Sequence, residues 1–310
     1  MKAIPELDPE ELTLLARLAR RAMWAPAPQR AALQAQNVTI TPANFYSTVP
    51  TLSEIDRSWE HRSPGEEVYN SGLFDAASMA RWIDRLIPFA QEFDPPVEAE
   101  AGSAAFHWRN PAFSFSDAMA YYCMIRALRP EGIVEVGSGF SSLVADLALS
   151  RNGTGRLTLI EPHPKPFLRT LSTLDRLIER PVQDLPLSET VRAIEEAGMW
   201  FIDSTHTVKA GSDCLWLYLK VMPALAREVV VHSHDIFLPF GFPRAPMREK
   251  QVYWTEQYLL YAYLLENPRT EVLFSSTYAA ARLPAELGDL MGGKYAAGGG
   301  SIWYRQAGRG

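Results

Sequence analysis

The chain has 310 residues and a formal net charge of −6. That length suits one large domain with an added segment, and no Lys/Arg block supplies the concentrated positive charge a nucleic acid would need. Two cysteines, Cys123 and Cys214, lie in apolar surroundings and read as buried thiols of a reducing compartment, not a disulfide framework. No stretch approaches the roughly 18–20 apolar residues of a membrane span, and no signal-peptide apolar region opens the chain. The expectation is a soluble, cytoplasmic protein with neither nucleic acid nor membrane as partner.

In chain order, the periodicity predicts a helix over 10–23, with Leu12, Leu14, Leu15, Leu18 and Ala19 as its apolar stripe. A turn-rich stretch follows over 38–65. A second helix is predicted over 75–93, with Met79, Trp82, Ile83, Leu86 and Ile87 on one face and a break at Pro95 and Pro96. A third spans 116–128, with Ser116 as N-cap and Asp117 in the first turn. After Pro130 strands and helices alternate. Strands are predicted at 133–136, 156–160, 199–203, 228–235 and 272–274, and helices at 142–150 and 254–265. The interrupted aromatic stretch 237–243 reads as a loop over a crevice and, with the N-terminal helices, as a lid. The glycine-rich stretch 292–300 leads into a final edge strand at 301–304. This divides the chain into an N-terminal helical cap, 1–115, and an α/β domain, 116–310.

The most informative stretch is Ile-Val-Glu-Val-Gly-Ser-Gly-Phe-Ser-Ser at 133–142. An apolar strand that breaks into Gly137-Ser138-Gly139 lets the backbone turn tightly and a ligand lie against it. Ser141 and Ser142 offer caps for the next helix. The second strand ends on Glu161, where a carboxylate can grip a ribose diol. A dinucleotide fingerprint needs a third glycine where Ser142 stands, and the charge of Glu135 beside the turn repels a pyrophosphate. The pattern resembles the class I S-adenosylmethionine-dependent methyltransferases, which implies a doubly wound, Rossmann-like α/β sheet. By that resemblance Glu135, Gly137, Ser138 and Gly139 face the methionine part of S-adenosylmethionine, Glu161 the ribose and Asp184 the adenine.

Two later strand ends carry further chemistry. Asp203 with His206 follows one, and His234 with Asp235 ends another. In a parallel sheet both open on the crevice beside the glycine turn. Carboxylate and imidazole ligands suit Fe, Mn or Zn better than calcium. The blocks Ile-Asp-Ser-Thr-His at 202–206, Lys-Ala-Gly-Ser-Asp at 209–213 and His-Ser-His-Asp-Ile-Phe-Leu-Pro at 232–239 resemble an uncharacterised branch of the same methyltransferases. Further blocks of that branch match at Asn110, 113–118 and 254–260. A more distant likeness to metal-dependent macrolide-sugar O-methyltransferases implies Asp203, His234 and Asp235 as metal ligands and His206 as general base. Where that family has an acid this chain has His234, which shifts the expectation from Mg towards a softer metal; His206 as a fourth ligand stays open. Asp203 is also expected to border the cofactor.

The expected activity is metal-assisted O-methylation of a hydroxyl on a small metabolite, in secondary metabolism, with homo-oligomerisation left open. Three alternatives stand beside it: a metal-independent methyltransferase, a nicotinamide-dependent oxidoreductase, and a non-catalytic cofactor-binding protein. His232 reads as a core histidine bonded to backbone, and His61 and His163 as surface groups.

Overall fold

A computed structural model describes residues 6–309 except 64, 101 and 103. Its centre is a seven-stranded sheet: β1 (Gly132–Val136), β2 (Arg156–Ile160), β3 (Leu174–Ile178), β4 (Gly198–Ile202), β5 (Val229–His234), β6 (Thr270–Ser275) and β7 (Ser301–Gln306). The order across it is β3-β2-β1-β4-β5-β7-β6. β1 pairs in parallel with both β2 and β4, β4 with β5, and β7 runs antiparallel between β5 and β6. All five residues of β1 are buried, as a strand covered on both faces requires. The predicted final edge strand is thus an interior one, and β6 holds the edge. The tail 301–306 reaches this place because His232, Ser233 and His234 pair with Trp303, Ile302 and Ser301.

The helix Phe115–Leu128 packs against both Phe140–Asn152 and Ala76–Ala90, while Leu187–Ala197 lies against β1 and β4. Met79, Ile83 and Leu86 of the helix Ala76–Ala90 belong to the same core as β1 and β4. The packing therefore crosses the expected boundary at residue 115. The stripe Leu12, Leu14, Leu15 and Leu18 finds no such partner, and neither Pro9–Met23 nor Ala27–Gln34 buries a residue. Among the described residues, no helix is long and apolar enough to cross a membrane.

The path β1-β2-β3 runs one way from the centre and β4-β5 the other, so the direction reverses between β1 and β4. In open α/β sheets ligands bind at the carboxyl ends of the strands at that reversal. Gly137 follows β1 there and Asp203 follows β4.

Candidate active site

Gly137 shows why the first turn needs glycine. Its φ is +80°, and a Cβ would lie 1.8 Å from the carbonyl oxygen of Asp203. The backbone passes this close because Gly137 N–H donates to Ile160 O at 3.1 Å while Asp203 N–H donates to Val136 O at 2.9 Å. Gly139 differs: an added Cβ would meet nothing within 4 Å. The helix begins at Phe140, two residues earlier than predicted. Ser142 therefore sits in its first turn, accepting from Gly139 N–H at 3.2 Å.

A cavity of about 410 Å³ opens beneath this turn, lined among others by Gly137, Glu161, Gln183, Asp203, Thr205 and Asp213. Glu161 accepts from Ser138 N–H at 3.3 Å and His163 N–H at 2.8 Å. Three carboxylates and no Lys or Arg line the cavity, a charge set that fits a sulfonium and opposes a pyrophosphate. The buried Ser138 hydroxyl has no partner among the described residues. Asp184 is exposed and its neighbour Gln183 takes the lining position expected of it.

Glu135 is fully buried below the turn rather than on the cavity wall. Tyr121 donates to it at 2.7 Å, and Ser142 and Ser141 also face its carboxylate. Burial pushes its pKa up to about 7, against the opposing pull of those hydroxyls.

Beside the cavity stand the acids and imidazoles. Asp203 Oδ1 lies 3.1 Å from His206 Nε2 and 3.2 Å from His234 Nδ1. Asp235 Oδ2 lies 3.7 Å from His206 Nε2 and 3.6 Å from His234 Nδ1. One ligand atom from each of Asp203, His206 and Asp235 falls within 4.8 Å of the others. His206 and Asp235 both adopt left-handed backbone, φ +55° and +56°; such strain costs about 1–3 kcal/mol per residue and persists only where the surroundings enforce it. For His206 the enforcement is visible: its carbonyl accepts from Thr255 N–H at 2.8 Å and Glu256 N–H at 3.1 Å.

Two acids that sequence reasoning did not single out complete the cluster. Glu256, 1% exposed, faces His206 Nδ1 at 2.8 Å and accepts from Tyr218 at 2.6 Å. Asp203 and Glu256 together keep the imidazole charged, so Nδ1 donates to Glu256 and Nε2 points at Asp203 and Asp235. Asp117 approaches His234 Nε2 at 3.4 Å. It sits in the first helical turn as predicted, but Ser114 rather than Ser116 occupies the N-cap position. Both acids fall inside matched blocks, where a helical reading placed Asp117 in a first turn and gave Glu256 no role.

Burial opposes charge on His206, yet Asp203 and Glu256 outweigh it and push its pKa up to about 10. His234 is likewise raised, with Asp235 and Asp203 overcoming burial. Burial works against the charge on Asp203 as well, and the two imidazoles hold it well below the usual carboxylate range. Four acids thus surround two imidazoles. The nitrogen and oxygen donors gathered there suit a divalent transition ion.

His232, by contrast, faces Ser301 Oγ at 2.8 Å and stacks on Trp303 at 4.1 Å. It is a core histidine, held by a hydroxyl rather than by backbone, and burial keeps its pKa well below the usual value. His61 is half-buried rather than superficial, meeting Phe242 O at 2.9 Å, so it ties the loop 237–243 to residues 55–61.

The segment 134–236 matches a family model described as "Methyltransferase domain". This match and the sheet order place the chain among the class I S-adenosylmethionine-dependent methyltransferases. An uncharacterized protein of Archaeoglobus fulgidus is 33% identical over 156 residues, 47% of this chain and 70% of the relative, and the chain belongs to the family they share. Among solved structures, the O-methyltransferase TomG from Streptomyces achromogenes, involved in tomaymycin synthesis, aligns at 14% identity over 74% of this chain and 99% of its own, TM-score 0.39. The plantazolicin methyltransferase BpumL aligns at 11% over 77% and 93%, also with TM-score 0.39. Likenesses this distant do not bear on the site.

Proposed function

We propose that the protein methylates a hydroxyl of a small acceptor and that a divalent transition ion assists. The observation that carries this reading is the convergence of Asp203, His206 and Asp235 at the mouth of the crevice between β1 and β4. S-adenosylmethionine supplies a methyl already activated on sulfur. Glu161 would receive the ribose hydroxyls, and the backbone of Gly137 and Gly139 would lie against the methionine part. Asp203, His206 and Asp235 would hold the ion, which contributes Lewis acidity towards the acceptor oxygen.

Glu256 keeps a proton on His206 Nδ1 and so leaves Nε2 for the ion. His234 Nδ1 faces Asp203 and Asp235, which keep it protonated while their charge is unshared; with both carboxylates engaged by the ion it would be free to take the acceptor proton as the oxygen receives the methyl group. The chain's remaining contribution is placement of the reacting groups. The cluster also supports a metal-free version in which Asp235, its pKa raised by burial, is the base, because His206 is already charged at neutral pH.

Calorimetric titration of metal-analysed protein with S-adenosylhomocysteine and with NAD tests these readings. Binding of the first only, with about one ion per chain as a mononuclear site implies, is expected. Binding without metal leaves the metal-free version, and preference for NAD defeats both.

A further inference from the structure

A second cavity, of about 320 Å³, lies on the other side of His234 from the glycine turn. Its walls are the loop 110–115, Phe237, the backbone of 297–300, and the side chains of Asp117, His234 and Asp235. It meets the cofactor cavity where His234 Nδ1 faces Asp203 at 3.2 Å. The walls are tied together. Asn110 donates to His107 O and Phe113 O at 2.8 and 2.6 Å, and Ser116 N–H donates to Gly298 O at 3.1 Å.

Asp117 is the unexplained group. It is 3% exposed, and Oδ2 accepts from Gly300 N–H at 2.9 Å. Oδ1 is buried and has no hydrogen-bond partner among the described residues. A buried acceptor left unmatched is costly, the more so when charged, so a ligand donor there would be strongly favoured. Asp117 and Asp235 stand at opposite nitrogens of the His234 ring, 3.4 Å from Nε2 and 3.6 Å from Nδ1. A donor at Asp117 is therefore about one small ring away from a hydroxyl at the acid–imidazole cluster. No Lys or Arg lines this cavity, which disfavours anionic acceptors.

We propose that this cavity is the acceptor site and that Asp117 selects uncharged or cationic compact rings bearing a second hydrogen-bond donor, hydroxyl or amino, near the reacting hydroxyl. The proposal rests on the methyltransferase reading and specifies its substrate class.

The test uses the full chain, first shown to bind S-adenosylhomocysteine, with catechol, resorcinol, their monomethyl ethers and 2-hydroxybenzoate as probes. Ligand-observed NMR measures affinity in the S-adenosylhomocysteine complex. Wild type should bind at least one diol about tenfold more tightly than its ether, the size of one good hydrogen bond, and should bind the benzoate more weakly than the diols. In Asp117→Asn the Gly300 N–H retains the amide oxygen, so the amide NH₂ takes the Oδ1 place and an acceptor becomes a donor. The diol-to-ether ratio should then fall about tenfold or invert. Wild type that binds the ethers or the benzoate as tightly as the diols, or binds none of the probes, overturns the proposal without recourse to the variant. So does an unchanged ratio in a folded variant. Failure to bind S-adenosylhomocysteine would instead remove the methyltransferase reading beneath it.

Discussion

The two cavities share a border at Asp203 and His234 but are made in different ways. The first is built on the ends of strands that lie side by side, and its walls follow from the sheet: Gly137 after β1, Glu161 after β2, Asp203 after β4. The second joins segments far apart in sequence, 110–117, 234–237 and 297–300, and no periodicity brings them together. A cofactor site can thus be dictated by local turn chemistry, whereas the acceptor side depends on packing between distant loops.

Asp203 belongs to the border, and its loss should have the largest effect. Asp203→Asn is expected to lower methyl transfer about 100-fold or more, with a much smaller change in S-adenosylhomocysteine affinity, read by single-turnover kinetics beside calorimetry. Equal losses in both would place Asp203 wholly in the cofactor half.

Within the cofactor half, two glycines separate fold from ligand. Gly137→Ala puts a methyl against the Asp203 carbonyl and forces a left-handed alanine, costing roughly 2–4 kcal/mol. Its thermal midpoint should fall accordingly. Gly139→Ala meets open space, so the midpoint should hold while S-adenosylhomocysteine binding weakens. Equal thermal losses in both would refute the distinction.

Glu256 acts through His206. Glu256→Gln should lower metal content or turnover about 10–100-fold and leave S-adenosylhomocysteine affinity intact, whereas a drop in that affinity would mean that the whole crevice has shifted.

A difference in pH dependence concerns the buried Glu135. Its pKa is raised from 4.5 to about 7, so the folded state holds this proton more tightly than the unfolded one. Ionisation therefore costs stability, which declines as pH rises from about 4.5 to 7, by roughly 3 kcal/mol at most. Glu135→Gln lacks this titration, so the stability difference should move in the variant's favour between pH 5 and 8 in denaturant melts. A constant difference would show that Glu135 is ionised throughout.

The cofactor half was legible for the same reason that it is local. The predicted strand at 156–160 coincides with β2, and the acids after β2 and β4 stand at the carboxyl ends where the sheet reverses. What stayed hidden depended on distance. Glu256 lay in the helix predicted at 254–265 with no role assigned to it, yet the buried start of that helix carries Glu256 and Gln257, matched to Tyr218, His206 and Phe237 from elsewhere in the chain. Asp117 looked like an ordinary first-turn acid because Gly300, which holds it, is 183 residues away. The glycine run read as a loop to an edge strand, although Gly299 leaves room for Asp117, whose carboxylate would lie 2.4 Å from a Cβ there. The leucine stripe of Pro9–Met23 erred in the opposite direction. Its periodicity was helical, as expected, but periodicity does not say what the face packs against.

The most direct test of the central claim is crystallography with S-adenosylhomocysteine and Mn²⁺, using anomalous scattering to place the ion. The account predicts the ribose at Glu161, the homocysteine part along Gly137 and Gly139, and an anomalous peak among Asp203, His206 and Asp235. An ion bound elsewhere, or S-adenosylhomocysteine lodged between Asp117 and the glycine loop, would contradict it.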